Sequence, residues 1–523
     1  MLFHRTRQNH KCIPTTPRIY PSINQIDHPP IHPQTQPIQL LSPHPSDLHP
    51  NQAYMAGEIP ENGTAATGVK IVAKTNVKPK KALGRKECQL VTFDLPYLSF
   101  FYNQKLLIYK AAAGEFEEIV GRMKDGLGIV LEDFHQLAGR LAKDEEGVFS
   151  VVYDDDMDGV QVVEAEAEGL QVAHLTNDEG TTMFKELIPH NKIFNLEGLH
   201  RPLLALQLTK LRDGVAVGLA FNHAVLDGMS TWHFMSSWAE ICSGATCIST
   251  PPFLDRSKAR NTRVKLTNLS KPSDAPEHAN SVANGDATSA KHAPILREKV
   301  FKFSESAIDQ IKARANASKP FSTFQSLSSH VWTAVTRARQ LNPEDYTVFT
   351  VFIDCRKRLE TPIPETYFGN LIQAIFTVTA AGLLAANPPE FGAGLIQKAI
   401  SGHDAKAIEA RNAEWEKSPK IFEYKDAGMN CVAVGSSPRF KVYEVDFGFG
   451  KPESVRSGTN NRFDGMLYLY PGKSGGRSID VEISLEASAM ERLEKDKDGI
   501  IKCELGLISI TTIWLGRDQQ YGY

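Results

Sequence analysis

Cysteine is sparse in this sequence of 523 residues, and no two cysteines form a CxxC pair. An odd number of scattered thiols excludes a disulfide framework and a zinc knuckle. The cysteine usage instead predicts a reducing, intracellular compartment. The seven cysteines are Cys12, Cys88, Cys242, Cys247, Cys355, Cys431 and Cys503.

An excess of charge of one sign is also missing, since 58 Lys and Arg residues face 61 Asp and Glu residues, for a net charge of −3. A near-neutral chain excludes nucleic-acid binding through bulk charge, so we expect no nucleic-acid partner. The apolar share of 41% and the charged share of 23% are those of an ordinary globular protein and exclude wholesale disorder.

A long apolar run is absent too. The longest uncharged stretch, residues 366–389, is interrupted by Asn370, Gln373 and several Gly or Pro residues. It is more typical of a buried strand that leads into a helix than of a membrane span. The amino terminus has no apolar core followed by a small-residue cleavage site. We therefore expect no stable membrane insertion and a cytoplasmic location.

Residues 1–66 differ from the rest of the chain. The first 54 residues hold 10 of the 30 prolines and 6 of the 16 histidines, with almost no apolar periodicity. Such a segment cannot bury enough surface to offset its ordering entropy, so we predict a disordered leader. Its first 26 residues carry four basic and no acidic side chains, which faintly suggests a transit peptide, although the amphipathic helix is missing. Translation from Met55 is the other alternative.

The following residues fall into two halves, 67–250 and 293–498. The stretch between them, 251–292, is rich in polar and charged residues and predicts a long, exposed crossover. Both halves mix helical and strand-like patterns, so we predict an α/β (α+β mixed) architecture of two domains. Apolar spacing predicts one helix over 116–142 and a second over 230–242 that begins at Ser230 as its N-cap.

The most informative stretch is Asn222-His223-Ala224-Val225-Leu226-Asp227-Gly228, which follows an alternating strand. A strand end mounts His223 rigidly at a loop, where an imidazole can take a proton from a hydroxyl nucleophile. Asp227 could orient His223 or pair with a distant arginine. Gly228 could let the backbone approach a ligand closely or adopt a positive φ. Spacing alone leaves a purely structural histidine open.

A metal site is not indicated. Residues 153–159 imitate the start of a calcium loop, but the position that needs a bidentate Glu is Ala165, and predicted strands flank the loop. His233 and His330 lie on predicted helices beside tryptophans, where packing is favoured over ligation. We expect no metal.

Four ordered blocks resemble the signatures of the BAHD acyl-CoA-dependent acyltransferases of plants. They are His223 to Gly228, which resembles HxxxD; Asp446-Phe447-Gly448-Phe449-Gly450, which resembles DFGWG; Asp354 to Arg358; and Tyr367 to Asn370. Thr92 to Tyr97 and Glu414 to Lys420 are similar to a branch of that family associated with cutin polyester formation. The resemblance covers about residues 69–493, and the final stretch, 499–523, is an atypical tail that matches nothing in the family.

The resemblance implies two chloramphenicol-acetyltransferase-like domains joined by a long crossover loop. It also implies His223 as the general base and Asp227 as a structural residue paired with Arg356, with Arg358 as the second choice. Asp446 and Gly448 would shape a turn without direct chemistry. Acyl-CoA would be a co-substrate, with no further cofactor.

Two positions depart from the family pattern. Phe449 replaces the usual Trp, and Gly435-Ser436-Ser437-Pro438 stands where many relatives have a Trp preceded by Ser or Thr. Loss of that Trp is expected to widen the acceptor side, and Ser436 or Ser437 could donate to an oxyanion.

The expected activity is acyl transfer from coenzyme A to a hydroxyl acceptor by a monomeric enzyme, with hydroxy fatty-acyl or glycerolipid species of cutin formation as acceptors. A hydroxycinnamoyl-type transferase acting on an alcohol or amine is the nearest enzymatic alternative. A non-catalytic acyl-CoA-binding protein is the alternative from another class.

Overall fold

The computed structural model describes residues 68–112, 114–180, 182–267, 295–316, 320–421 and 430–496. The predicted leader (1–66), residues 268–292 of the predicted crossover and the predicted tail (499–523) lie outside the described residues. The described residues all fall within one compact unit. The boundaries that divide it into two domains stay a prediction.

The first six-stranded sheet takes five strands from the first half and one from the second. Only the contact between its second and third strands is parallel; the others are antiparallel. In spatial order the strands are β1 (Lys70–Val77), β6 (Val160–Ala167), β7 (Leu204–Leu211), β8 (Gly214–Phe221), β3 (Asn103–Lys110) and β13 (Ser454–Ser457).

The second six-stranded sheet is built entirely from the second half. The two contacts of its third strand are parallel, and the others are antiparallel. In spatial order the strands are β11 (Ile372–Ala380), β10 (Tyr346–Asp354), β12 (Cys431–Val434), β14 (Met466–Pro471), β15 (Ile479–Glu486) and β9 (Leu296–Phe303).

A small antiparallel sheet and the helices complete the fold. The sheet has the order β2 (Lys86–Gln89), β5 (Phe149–Tyr153), β4 (Arg140–Lys143). The α-helices are α1 (Phe116–Val130), α2 (Val172–Leu175), α3 (Gly228–Cys242), α4 (Glu305–Ala315), α5 (Thr323–Ala338), α6 (Ala381–Ala386), α7 (Pro389–Gly402), α8 (Ala405–Lys417) and α9 (Ala487–Lys495). In the described ranges none of the helices has the length and apolar character needed to cross a membrane.

The largest apolar core holds the two halves together. It extends from α1, α3 and the first sheet to Val442, Met466 and Tyr468 of the second half. Burial of apolar surface at about 25 cal/mol per Å² makes such a shared core costly to open. A second core lies between the second sheet and α4, α5 and α9.

The predicted helix over 116–142 is wrong beyond Val130. After α1 the chain forms a 3₁₀ helix, His135–Ala138, and then strand β4. Phe134, Leu137 and Leu141 are buried as predicted, but from these other conformations. Spacings of three and four residues bury side chains in a compact irregular segment as well as in a helix, so the pattern did not show where α1 ends.

Full exposure of the predicted crossover is also wrong for its described part. Phe253 forms a β-bridge with Tyr367, and Val264 and Leu266 are buried. Arg256 is only 2% exposed. A few apolar side chains and several arginines of this mostly polar segment thus attach it to the protein.

Candidate active site

His223 lies directly after β8, in a loop fixed by two buried asparagines. The Asn222 amide donates to the backbone oxygen of Asn195 at 2.7 Å, and the Asn195 amide oxygen accepts from the backbone N–H of His223 at 2.9 Å. Both asparagine side chains are fully buried. Because an unpaired buried amide is expensive, this reciprocal pairing holds the backbone of His223 in one position.

The imidazole of His223 borders a cavity of about 380 Å³. On one side Tyr97 stacks against it, with ring centroids 4.6 Å apart and an interplanar angle of 5°. Most of the cavity wall is aromatic or aliphatic; it includes Phe100, Trp232, Phe352, Ile372, Phe440 and Phe463. A largely apolar cavity with an imidazole at its wall is typical of a site that binds a small molecule and moves a proton.

Burial lowers the pKa of His223 below its ordinary value. Its own backbone, the Asp227 carboxylate and Asn370 act in the opposite direction without cancelling this effect. A neutral imidazole can accept a proton, so the environment keeps His223 in the form that a general base needs at neutral pH.

Both carboxylate oxygens of Asp227 are occupied by hydrogen bonds. Its two carboxylate oxygens accept from Nη1 and Nη2 of Arg356 at 2.9 and 3.0 Å, and both side chains are fully buried. The same oxygens accept from the backbone N–H groups of Ser230 and Leu371. Burial would raise the pKa of Asp227, but Arg356 lowers it below its ordinary value. The N-cap of α3 is therefore Asp227, and the prediction of Ser230 was wrong because a carboxylate was available three residues earlier.

The structure thus brings together the pair that the family resemblance implied. Arg358, the second choice, instead donates to the backbone oxygens of Ile400 and His403. Gly228 lies at the cavity wall, where an added Cβ would come within 2.7 Å of the Phe440 ring. Glycine is favoured at position 228 because the Phe440 ring lies so close to its Cα, and not because the backbone has a positive φ.

A second buried ion pair, between Arg256 and Asp94, holds the loop that carries His223. Arg256 donates to an oxygen of Asp94 at 2.6 Å and to the backbone oxygen of Val225 at 2.6 Å. The same Asp94 oxygen accepts from Asn370, whose amide also donates to the backbone oxygen of His223 at 2.8 Å. An added Cβ at Gly369 would come within 2.7 Å of the Arg256 guanidinium, so glycine there makes room for it.

Sequence reasoning missed this support. Asp94 and Asn370 lie inside blocks that were noticed only as family resemblances, and no local pattern distinguishes Arg256 from the other basic residues of the crossover. The contact between Arg256 and Asp94 joins residues 162 positions apart.

We expect Arg256→Lys to lower kcat about fivefold to tenfold with little change in KM. Lysine keeps the charge near Asp94 but cannot also reach the oxygen of Val225, and one hydrogen bond to a charged group contributes about 1.5–3 kcal/mol. Steady-state kinetics and thermal unfolding would measure both effects. Arg263→Lys is the matched control, because Arg263 lies in the same segment and pairs with Asp144 and Glu146 at the surface. An unchanged kcat in Arg256→Lys would contradict the positioning role.

The Asp446 loop forms a turn away from the cavity wall. An oxygen of Asp446 accepts from the N–H groups of Gly448 and Gly450 at 2.8 and 2.9 Å, and both glycines have positive φ. Phe447 packs against Trp238 with ring centroids 4.6 Å apart. Phe449, which stands in place of the usual Trp, packs against Tyr109 at 5.0 Å. The loop therefore attaches the second half to α3 and β3.

The two serines that were oxyanion candidates are placed differently. Ser436 lines the cavity, and its hydroxyl donates to the backbone oxygen of Leu469 at 2.6 Å. The hydroxyl of Ser437 accepts from the backbone N–H of Arg439 at 3.3 Å, and Ser437 is not among the lining residues. In the part of the chain that the structure describes, no group of three His, Cys, Asp or Glu side chains could hold a metal ion.

The site and the motif blocks define a BAHD-type acyltransferase, and comparison with known proteins shows the family directly. The Transferase family model matches residues 67–499. The chain belongs to this family of acyl-CoA-dependent acyltransferases. It is 64% identical over 455 residues to "BAHD acyltransferase DCR" of Arabidopsis thaliana, covering 83% of this chain and 93% of that relative. "Hydroxycinnamoyltransferase 2" of Oryza sativa subsp. japonica is 30% identical, with 82% and 98% covered.

Solved structures confirm the predicted fold class. TRI101 of F. graminearum, solved with ethyl coenzyme A, superimposes with a TM-score of 0.62 at 21% identity, covering 79% of this chain and 98% of that one. Vinorine synthase also gives a TM-score of 0.62, at 20% identity, with 81% and 96% covered. The mixed α/β, chloramphenicol-acetyltransferase-like fold is shared.

Proposed function

We propose that the enzyme transfers an acyl group from a coenzyme A thioester to the hydroxyl group of a hydroxy fatty-acyl or glycerolipid acceptor in cutin formation. The observation that carries this proposal is His223, held neutral at the wall of a largely apolar cavity. The 64% identity to DCR and the two blocks similar to the cutin-associated branch support the acceptor class. A monomeric state and a cytoplasmic location belong to the same proposal and rest on the sequence.

In the proposed reaction His223 removes the proton of the acceptor hydroxyl as its oxygen attacks the thioester carbonyl. The tetrahedral intermediate collapses with cleavage of the carbon–sulfur bond, and the imidazolium returns the proton to the departing thiolate. The products are an ester and coenzyme A, with no covalent enzyme intermediate. Asp227 and Arg356 hold the loop that carries His223 and touch no reacting atom.

The oxyanion of that intermediate needs a preorganised donor. Ser436 and Ser437 are the proposed donors, and the place of Ser436 at the cavity wall favours it of the two. Its hydroxyl would have to turn from the oxygen of Leu469 toward the substrate.

A panel of substrates tests the proposal. Free thiol release would be measured with acetyl-, palmitoyl- and coumaroyl-CoA against a long-chain hydroxy acid, a diacylglycerol and an aromatic alcohol. Turnover of palmitoyl-CoA with a lipid acceptor is expected. Turnover only with coumaroyl-CoA would favour the hydroxycinnamoyl alternative that the rice relative suggests. Binding of coenzyme A without thiol release from any pair would favour the non-catalytic alternative.

The pH dependence of kcat follows from the burial of His223. Because its pKa lies below the ordinary value of about 6.5, kcat at saturating neutral acceptor is expected to rise with pH below that value and to be flat at pH 7. A pH–rate profile between pH 4.5 and about 8 measures this, since a base is active only when unprotonated. An apparent pKa above 7 would contradict the assignment of the buried imidazole as base.

A further inference from the structure

Lys105 is a buried cation that the reaction above does not use. It lies on β3, an interior strand of the first sheet, and is only 4% exposed. Its side chain lines the same cavity as His223. Its ammonium donates to the hydroxyl of Tyr470 at 3.2 Å and lies 5.4 Å from the centre of the Tyr468 ring.

No carboxylate of the described residues forms an ion pair with Lys105. The carboxylate that acts electrostatically on Lys105 is that of the buried Glu482 on β15, and it is already held by Arg456 at 3.0 Å and Arg462 at 2.9 Å. Arg462 also pairs with Glu298 at 2.9 Å. Three cations therefore face two carboxylates, and the unmatched positive charge is the one that lies at the cavity wall.

A buried ammonium without a carboxylate is costly, and a ligand that carries a negative charge would remove that cost. The tyrosine hydroxyl and ring faces around Lys105 are neutral at physiological pH, so they do not supply the charge. In the proposed reaction the acceptor hydroxyl must reach His223, so the acceptor would enter the cavity that Lys105 also lines.

We propose that Lys105 binds a carboxylate of the acceptor, so that the preferred acceptor is a hydroxy acid with a free carboxylate and not a glycerolipid or an ester. This inference rests on the proposed function and narrows its acceptor class. The carboxylate would form an ion pair with the ammonium while the hydroxyl lies at His223.

The strand register sets the distance between the two groups. Lys105 pairs with Leu219, four residues before His223 on the neighbouring strand. Because β8 ends at Phe221, the strand spacing of about 3.3 Å per residue gives an upper limit of about 13 Å between the two backbone positions, and the lysine side chain can shorten the gap. This spacing suits a hydroxyl in the middle of a long chain better than one at its far end.

The surroundings of Lys105 also set the pH range in which its ammonium is charged in the free enzyme. Burial lowers the pKa of Lys105 to about 8, with Glu482 opposing the shift and Arg462 adding to it. The other titratable groups that face Lys105 are Tyr468, Tyr470 and His223, whose own pKa the ammonium helps to lower. The ammonium is therefore present below pH 8, and preference for an acid is lost as pH rises through that value.

The test compares ricinoleic acid with its methyl ester, which replaces the negative charge by a methyl group and keeps the rest of the chain. With palmitoyl-CoA as donor, the ratio of kcat/KM for the acid to that for the ester is expected to fall about tenfold or more in Lys105→Met, because a hydrogen-bonded ion pair is lost. Lys105→Arg keeps the charge and is expected to restore most of the ratio. Lys110→Met is the matched control, since Lys110 lies on the same strand with its side chain 70% exposed.

A binding measurement separates this inference from the proposed function. Trp232 and Trp415 line the cavity, so quenching of tryptophan fluorescence reports occupancy without turnover. The wild-type enzyme is expected to bind ricinoleate at least tenfold more tightly than the ester at pH 7, and to lose that preference at pH 9. If thiol release fails with both acceptors but this preference is present, the proposed reaction is wrong and the carboxylate site stands. Equal binding of acid and ester by the wild type, or an unchanged preference in a folded Lys105→Met, would overturn the site.

Discussion

Replacement of His223 by alanine is expected to reduce kcat by about 10²–10⁴-fold, the usual contribution of a general base. His223 is the one histidine among the described residues that line the cavity. Asp227 has no free oxygen with which to replace it, since Arg356 and two backbone N–H groups occupy both. Thiol release with the best donor and acceptor of the panel measures the effect. Affinity for coenzyme A is expected to change less than threefold.

Two further variants test whether the loss of activity comes from the missing base or from disturbed packing. His223→Asn retains a planar polar side chain beside Tyr97 and is expected to be as inactive as His223→Ala. His200→Ala alters an exposed histidine outside the cavity and is expected to behave like the wild type. Retention of more than a tenth of the wild-type kcat in His223→Asn would remove the base role.

Asp227→Ala is expected to destabilise the fold by about 3–5 kcal/mol, the cost of leaving one partner of a buried ion pair alone. Arg356 would remain fully buried with its charge uncompensated on the side of α3, and the N–H groups of Ser230 and Leu371 would lose their acceptors. Chemical denaturation measures the free energy of unfolding. Activity is expected to fall as well, since the loop that carries His223 loses its attachment.

The exposed partner of Arg356 provides the control. Asp354 accepts from the same Nη1 at 2.9 Å, but its side chain is 45% exposed. Asp354→Ala is therefore expected to cost less than about 1 kcal/mol. Equal losses from the two variants would show that burial does not set the strength of the Asp227 contact.

The dependence of stability on pH provides a second test of the ion pair between Asp227 and Arg356. The pKa of Asp227 is lowered in the folded state, so its contribution to stability is complete above the unfolded pKa of about 3.9 and is lost as pH falls through the lower folded value. In Asp227→Ala the free energy of unfolding is expected to lose that part of its decrease at acid pH.

Local patterns in the sequence predicted some of the regular elements. The alternating strand before Asn222 is β8, and the helical spacing over 230–242 lies inside α3. Family blocks predicted the Asp227–Arg356 pair, although its residues are 129 positions apart. The end of α1 could not be predicted, because Phe134 and Leu137 satisfy the helical spacing while they pack from a 3₁₀ turn.

The supports of the site could not be predicted from the sequence. Tyr97, Arg256 and Lys105 gain their roles from neighbours that are distant in sequence, and the residues beside Arg256 and Lys105 follow ordinary surface or core patterns. The ring stacked on His223, the arginine beside its loop and the lysine without a carboxylate become visible only in the folded chain.

Strand β13 has a consequence for protein engineering. Four residues of the second half, Ser454–Ser457, cover the edge of β3 in the first sheet. An isolated first half would expose that edge, and bare sheet edges recruit other chains. Chimeras that exchange acceptor specificity between relatives should therefore carry 454–457 from the parent that supplies β3, even though the crossover offers a more obvious junction.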